Sequence, residues 1–188
     1  MANDKANPPA STQSPASSPT AAEHRAAAPQ CIGCAVLTIS DTRTSEIDRG
    51  GPLVADLLAA AGHNVVDRTI VPDEPQLIRE KIAALTAQDA VAVVLLTGGT
   101  GVSPRDQTFE TLNALFTRTL PGYGELFRML SFAEIGPAAM LSRATAGLIG
   151  RTVIFSMPGS PAAVRLAMGR LILPELGHVV SQARGGAK

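Results

Sequence analysis

Three glycines and three hydroxyl side chains fall in one short stretch, Thr97-Gly98-Gly99-Thr100-Gly101-Val102-Ser103. Glycine lets a backbone turn sharply and approach a ligand closely. Amide N–H groups in such a loop, ahead of a helix N-terminus, favour negative charge. Thr97, Thr100 and Ser103 add hydroxyl donors, so the chemistry indicated is the binding of an anion, a phosphate above all. No Gly-Lys-Ser/Thr follows, which excludes a Walker A loop. Pro104 stands where Gly-x-Gly-x-x-Gly would place its third glycine, which excludes a dinucleotide fingerprint. The plainer alternative is a tight structural turn.

Two aspartates sit at expected helix starts, Asp73 and Asp106. Helix capping explains each one singly, and Asp73 with Gln76 fits a capping box. Capping does not explain two carboxylates at the mouth of a phosphate pocket, where such a pair suits Mg²⁺, a hard ion that shares its shell with substrate phosphates. Met157-Pro158-Gly159-Ser160-Pro161 reads either as a stiff strand-to-helix corner, with Pro161 early in the helix, or as a second wall of the pocket. Glu125, in the turn Leu120-Pro121-Gly122-Tyr123-Gly124-Glu125, is either a partner for a ring N–H or a solvated charge. His24, His63 and His178 have no partner at catalytic spacing, and nothing indicates a covalent nucleophile. Cys31 and Cys34 run into a strand rather than a helix and lack a second pair for zinc, so they read as two reduced thiols.

The elements that must position these groups alternate between strand and helix. Strands are expected over Cys34–Ser40, His63–Val71, Ala90–Leu96 and Arg151–Ser156. Helices are expected over Gly50–Ala61, from the Pro72-Asp73-Glu74-Pro75 turn to Ala87, from about Gln107 to Leu115, over Tyr123–Phe132 and Pro137–Thr145, and over Ala162–Gln182 as one or two helices. This order predicts an α/β fold in three layers, a mostly parallel sheet with helices on both faces. Ligands in such folds bind outside the carboxyl ends of the strands, where the loops after Leu96 and after Ser156 both lie.

The composition agrees. The chain has 188 residues, 45% hydrophobic and 17% charged, with zero formal net charge. That is enough for one domain with an aliphatic core, and it argues against a general nucleic-acid binder. Residues 1–30, rich in Ala, Pro, Ser and Thr, lack an apolar pattern and are expected to be a disordered tail, with the domain spanning 31–188. The longest apolar run, Ala90–Leu96, is far short of the roughly 20 residues of a membrane span. Without a basic, then apolar, N-terminal segment the expectation is a cytoplasmic protein.

Seven motifs in order resemble a known family: Thr38-Ile39-Ser40-Asp41, Val71-Pro72-Asp73-Glu74, Leu96 to Gly101, Arg105-Asp106-Gln107-Thr108, Pro121 to Glu125, Leu141-Ser142-Arg143 and Met157 to Pro161. This resembles the molybdopterin-binding family of bacterial Mog proteins and the G domains of gephyrin and plant Cnx proteins. The stretch from Phe127 to Gly136 is most similar to its molybdenum cofactor biosynthesis protein B branch. The likeness covers about residues 33 to 180. It implies transfer of AMP from Mg²⁺-ATP to the terminal phosphate of molybdopterin, with release of pyrophosphate and delivery of the product to a molybdate-inserting enzyme. It implies Asp73 and Asp106 as the catalytic and Mg²⁺-holding pair. It implies Ser40, Asp41, Thr97, Gly98, Gly99, Thr100, Gly101, Ser103, Glu125, Ser142, Arg143, Pro158, Gly159, Ser160 and Pro161 as contacts to molybdopterin or nucleotide. It further implies a homotrimer, or two trimers paired as a hexamer. The alternatives are a molybdopterin-binding carrier or scaffold without catalysis, and a nucleotide hydrolase on a similar fold.

Overall fold

The structure is a computed structural model that describes residues 29–185; most of the expected tail, residues 1–28, lies outside the described residues. Its strands are β1 (Gly33–Ile39), β2 (Asn64–Val71), β3 (Val93–Thr97), β4 (Arg118–Thr119), β5 (Thr145–Ile149) and β6 (Thr152–Met157). Its α-helices are α1 (Gly50–Ala60), α2 (Pro75–Thr86), α3 (Thr108–Leu115), α4 (Pro121–Ile135), α5 (Pro161–Ala167) and α6 (Leu173–Ala183).

One six-stranded sheet runs in the order β2-β1-β3-β6-β5-β4. The first four strands are mutually parallel. Every residue of β3 and β6 is buried, as apolar runs covered on both faces must be. Alternation along β1 sorts its side chains between two cores. Cys34 and Val36 join Val54 and Leu58 of α1, Phe127 of α4 and the C-terminal helices. Ala35, Leu37 and Ile39 join Ile78, Ile82 and Leu85 of α2 and Leu112 of α3. The α2 residues recur at i, i+4 and i+7, a single stripe of the helix facing the sheet. The three expected layers are therefore present.

The sheet is mostly parallel, as expected, with β5 antiparallel to β6 and to β4. Its end corrects one expectation. The helix expected over Pro137–Thr145 does not form. Gly136, at φ 64°, ends α4, a single 3₁₀ segment follows over Gly136–Leu141, and Thr145 opens β5. Alanines and a leucine suggested a helix, but a two-residue link, Gly150-Arg151, folds β5 back onto β6, and Gly150 adopts the positive φ (59°) such a link requires. The last helical run is two α-helices joined by one π-turn, Met168–Ile172.

Two surface features of α4 matter below. Tyr123 is buried on its inner face, its ring 6.3 Å from Phe127 and 5.2 Å from Phe155. On its outer side Met129, Phe132 and Ile135 are about 60% exposed and sit beside exposed Met140 and Leu141. Among the described residues no helix is long and apolar enough to cross a membrane. Both cysteines are free thiols, and burial pushes Cys34 up to about 12.

Gly147 is the tightest point of the antiparallel edge. A Cβ there would lie 2.6 Å from the Phe116 ring and 2.7 Å from the Arg118 carbonyl oxygen. Gly147→Ala therefore forces β4 away from β5, and urea unfolding should show a loss of about 1–3 kcal/mol, the usual cost of overpacking. An unchanged midpoint would mean that β4 is not held in this register.

Candidate functional site

The carboxyl ends of the four parallel strands surround a cleft of about 410 Å³. Each strand contributes its following loop: Ser40 to Arg43 after β1, Asp73 after β2, Gly98, Gly99, Arg105 and Asp106 after β3, and Gly159 and Ser160 after β6. The chain reverses its winding direction between β1 and β3, the place where open α/β sheets leave a ligand crevice.

Asp73 is the buried acid of this cleft, 4% exposed. It does not cap α2, the helix it precedes, and the Gln76 side chain turns to Glu80 instead of closing a capping box. Its Oδ1 accepts from the Gln107 amide and from the Thr108 hydroxyl, each at 3.2 Å, so it caps α3 from across the cleft. Its Oδ2 lies against Gly99, where a Cβ would come within 2.5 Å. Gly99 also has φ 63°, so both backbone conformation and space demand glycine there. Burial, the largest influence, raises the Asp73 carboxyl above the ordinary aspartate range; the bonds from Gln107 and Thr108 lower it, and the charges of Asp106 and Asp41 raise it further.

Asp106 likewise makes no cap bond to α3. Its Oδ2 accepts from the Ser103 amide at 3.1 Å, and its own amide donates back to the Ser103 carbonyl at 2.9 Å, closing the loop on itself. Asp41 accepts from the Asp73 amide at 3.0 Å and holds Arg105 through two bonds of 2.6 and 2.9 Å. Arg105 also pairs with Glu74 at 2.7 Å. These bonds from Arg105, then the one from the Asp73 amide, lower the Asp41 carboxyl.

Two residues outside the motif reading shape the floor. Asp48 is buried and caps α1, accepting from the Gly50 and Gly51 amides at 3.0 and 3.2 Å and from the Thr38 hydroxyl at 2.6 Å. Arg43 lies 3.9 Å from Asp48 and donates to the Gly159 carbonyl, tying the loops after β1 and β6 together. An acid two residues before a Gly-Gly helix start was the available signal for the Asp48 cap.

The other expected site residues divide. Ser40, Asp41, Gly98, Gly99, Gly159 and Ser160 line the cleft with the aspartates. Ser160 also caps α5, accepting from the Ala163 amide, and Pro161 opens that helix, so the corner is both structural turn and cleft wall. Pro158 is half-buried beside it. Thr97 and Thr100 are buried, and the Thr97 hydroxyl has no hydrogen-bond partner. Ser103 is exposed, its hydroxyl accepting from the Arg105 amide. Glu125, Ser142 and Arg143 line a second cavity of about 520 Å³ with Phe109 and Arg128. Arg143 joins that cavity to the cleft loop, donating to the Gly101 and Asp106 carbonyls.

The cleft lining carries two arginines and three aspartates. Its oxygen donors are hard ligands of the kind Mg²⁺ prefers. Among the described residues no group of three or more His, Cys, Asp or Glu could hold a metal ion by itself. The residues therefore fit an ion that takes one or two carboxylates from the protein and the rest of its shell from substrate oxygens.

Known proteins resemble this chain in sequence and fold. A family model described as "Probable molybdopterin binding domain" matches residues 35–178. Molybdenum cofactor biosynthesis protein B of Bacillus cereus is 52% identical over 158 residues, 84% of this chain and 94% of that protein. Its namesake in Escherichia coli K12 is 48% identical over 142 residues, 76% of this chain and 84% of that one. A crystal structure of a molybdenum cofactor biosynthesis protein B superposes with a TM-score of 0.81 at 51% identity, covering 84% of this chain and 98% of the other. The tungsten cofactor synthesizing protein MoaB from Pyrococcus furiosus gives 0.73 at 37% identity, covering 84% and 99%. Sequence motifs, sheet order and these relatives agree, and the chain belongs to the molybdopterin-binding domain family, in the company of its molybdenum cofactor biosynthesis B proteins.

Proposed function

We propose that this protein transfers AMP from Mg²⁺-ATP to the terminal phosphate of molybdopterin, a cytoplasmic step of molybdenum cofactor biosynthesis whose product passes to a molybdate-inserting enzyme. The observation that carries the reading is the meeting of Asp73 and Asp106 with the Gly98-Gly99 and Gly159-Ser160 loops in one cleft. The names of the relatives support the pathway.

In this reaction a phosphate oxygen of molybdopterin attacks the α-phosphorus of ATP. A new P–O bond forms, the bond to the β-phosphate oxygen breaks, and pyrophosphate leaves with the electron pair. Mg²⁺, held by Asp73 and Asp106, would screen the repulsion between the two phosphates. The chain's own residues prepare the rest. Gly99 lets the phosphates approach the backbone beside Asp73. Arg105 and Arg43 both place positive charge at the cleft, each already fixed by acceptors, so little reorganisation is needed when the reacting oxygens gain charge. The adjoining cavity, with Glu125 as an acceptor for ring N–H groups, suits the pterin. The exposed Met129, Phe132, Ile135, Met140 and Leu141 surface supports self-association, and the assembly we propose is the homotrimer, or two paired trimers, that the family resemblance implies.

Asp73→Asn and Asp106→Asn test the site directly. Asn keeps an acceptor oxygen for the Gln107 and Thr108 donors at position 73 and for the Ser103 amide at position 106, so stability should move by no more than about 1 kcal/mol. Pyrophosphate release from ATP and molybdopterin should fall at least about a hundredfold, while pterin binding survives. Normal turnover in both variants would reduce the aspartates to structural roles. Wild-type protein that binds pterin but releases no pyrophosphate would be a carrier, and ATP cleavage without pterin would mark a hydrolase.

The raised Asp73 carboxyl adds a pH signature. The folded protein holds this proton more tightly than the unfolded chain, so ionised Asp73 opposes folding at neutral pH. That cost fades as pH falls through the folded value. Asp73→Asn should thus melt at or above the wild-type temperature at neutral pH, with the gap closing toward about pH 4, the ordinary aspartate range. A variant clearly less stable at neutral pH would overturn this.

Phe132→Glu places a charge in the exposed apolar surface and should shift the mass seen by light scattering from trimer to monomer. Wild-type protein that is already monomeric at micromolar concentration would refute the assembly.

A further inference from the structure

We propose that Arg143 is a positioning residue: its guanidinium fixes the two ends of the loop that carries Asp106, and it does so from the wall of the neighbouring cavity. Three bonds make the case. The Arg143 Nε donates to the Gly101 carbonyl at 2.7 Å and its Nη2 to the Asp106 carbonyl at 2.8 Å. Its backbone amide donates to the Thr100 carbonyl at 2.9 Å. Between Gly101 and Asp106 the chain has no regular secondary structure. Within it Ser103 ties to Asp106 and to the Arg105 amide, and the Arg105 side chain pairs outward with Asp41 and Glu74. Arg143 adds the bonds that hold the backbone at both ends of the loop.

The guanidinium is itself held. Its Nη1 pairs with Glu110, and its Cζ lies 5.3 Å from the centre of the Phe109 ring, both on α3. The planar fork thus joins α3 to both loop ends at once, a geometry that the single ammonium of lysine cannot reproduce. Each of its three nitrogens donates one bond within the chain, and the contribution proposed here runs through Asp106. The same side chain lines the cavity that holds Glu125 and Ser142. The position of Asp106 is therefore set by a group that a ligand in that cavity touches.

The inference rests on the proposed role of Asp106, and its test separates the two. Amide hydrogen exchange of the full chain should show residues 101–106 exchanging at least about tenfold faster in Arg143→Lys and Arg143→Ala, with β3 amides unchanged. Pyrophosphate release by Arg143→Lys should fall about ten- to a hundredfold, the scale of a small misplacement of a reacting group. KM for ATP should stay within about threefold, because an interaction made only in the transition state is what is lost. Glu110→Gln, which leaves the two carbonyl bonds in place, should keep most of the turnover. Unchanged exchange at 101–106 in both arginine variants overturns the proposal, as does normal turnover in Arg143→Ala. If wild-type protein releases no pyrophosphate, the adenylyltransferase reading fails, while the exchange data alone still decide whether Arg143 sets the loop.

Discussion

The cleft depends on one carboxylate that caps a helix it does not belong to. Asp73 leaves β2 and reaches across to the first turn of α3, where the Gln107 amide and Thr108 hydroxyl meet it. A side chain at a helix N-terminus normally serves its own helix. Here the partner is 34 residues away in sequence, so the bond joins the loop after β2 to the loop after β3, which the Arg105–Glu74 pair also bridges. Gly99 must be glycine for Oδ2 to fit, and Asp41 must hold the Asp73 amide for the backbone to aim that way. Each constraint recruits another loop, and the cleft is the space they leave.

Charge in the cleft is arranged in shared pairs. Arg105 serves Asp41 and Glu74, while Arg43 serves Asp48 and the Gly159 carbonyl. With two arginines facing three aspartates, a bare polyphosphate meets net repulsion and a cation-bound one does not. Within the glycine-rich loop the Gly98 amide donates to the Met157 carbonyl and the Ser103 amide to Asp106, while Gln107 donates to Asp73 and the start of α1 to Asp48.

Much of this was legible in the residues, because it was written locally. The run Ala90–Leu96 reads as a central strand, and Pro75 and Pro161 as early helix positions, as the structure has them, while Pro121 opens a helix expected only from Tyr123. The order of motifs placed Asp73 and Asp106 at one end of the sheet before any coordinate did. What escaped was non-local. Thr145–Ile149 carries a glycine and an alanine among five residues, and its strand character comes from pairing with β6 and β4. Asp73 with Gln76 looked like a capping box because only near neighbours are visible in sequence. Arg143 looked like a ligand contact, and its bonds to Gly101 and Asp106 needed the fold to bring residues about forty apart together.

One aromatic ring has a practical consequence. The chain contains no tryptophan and a single tyrosine, and that tyrosine is Tyr123, packed between Phe127 and Phe155 at the start of α4. All intrinsic fluorescence above that of phenylalanine, and the near-ultraviolet circular dichroism of the phenol, therefore come from one known place. Glu125 follows two residues later and lines the second cavity, so the optical signal originates in the helix that forms its wall. The protein carries its own spectroscopic label, silent about the tail and sensitive to how α4 sits on the sheet.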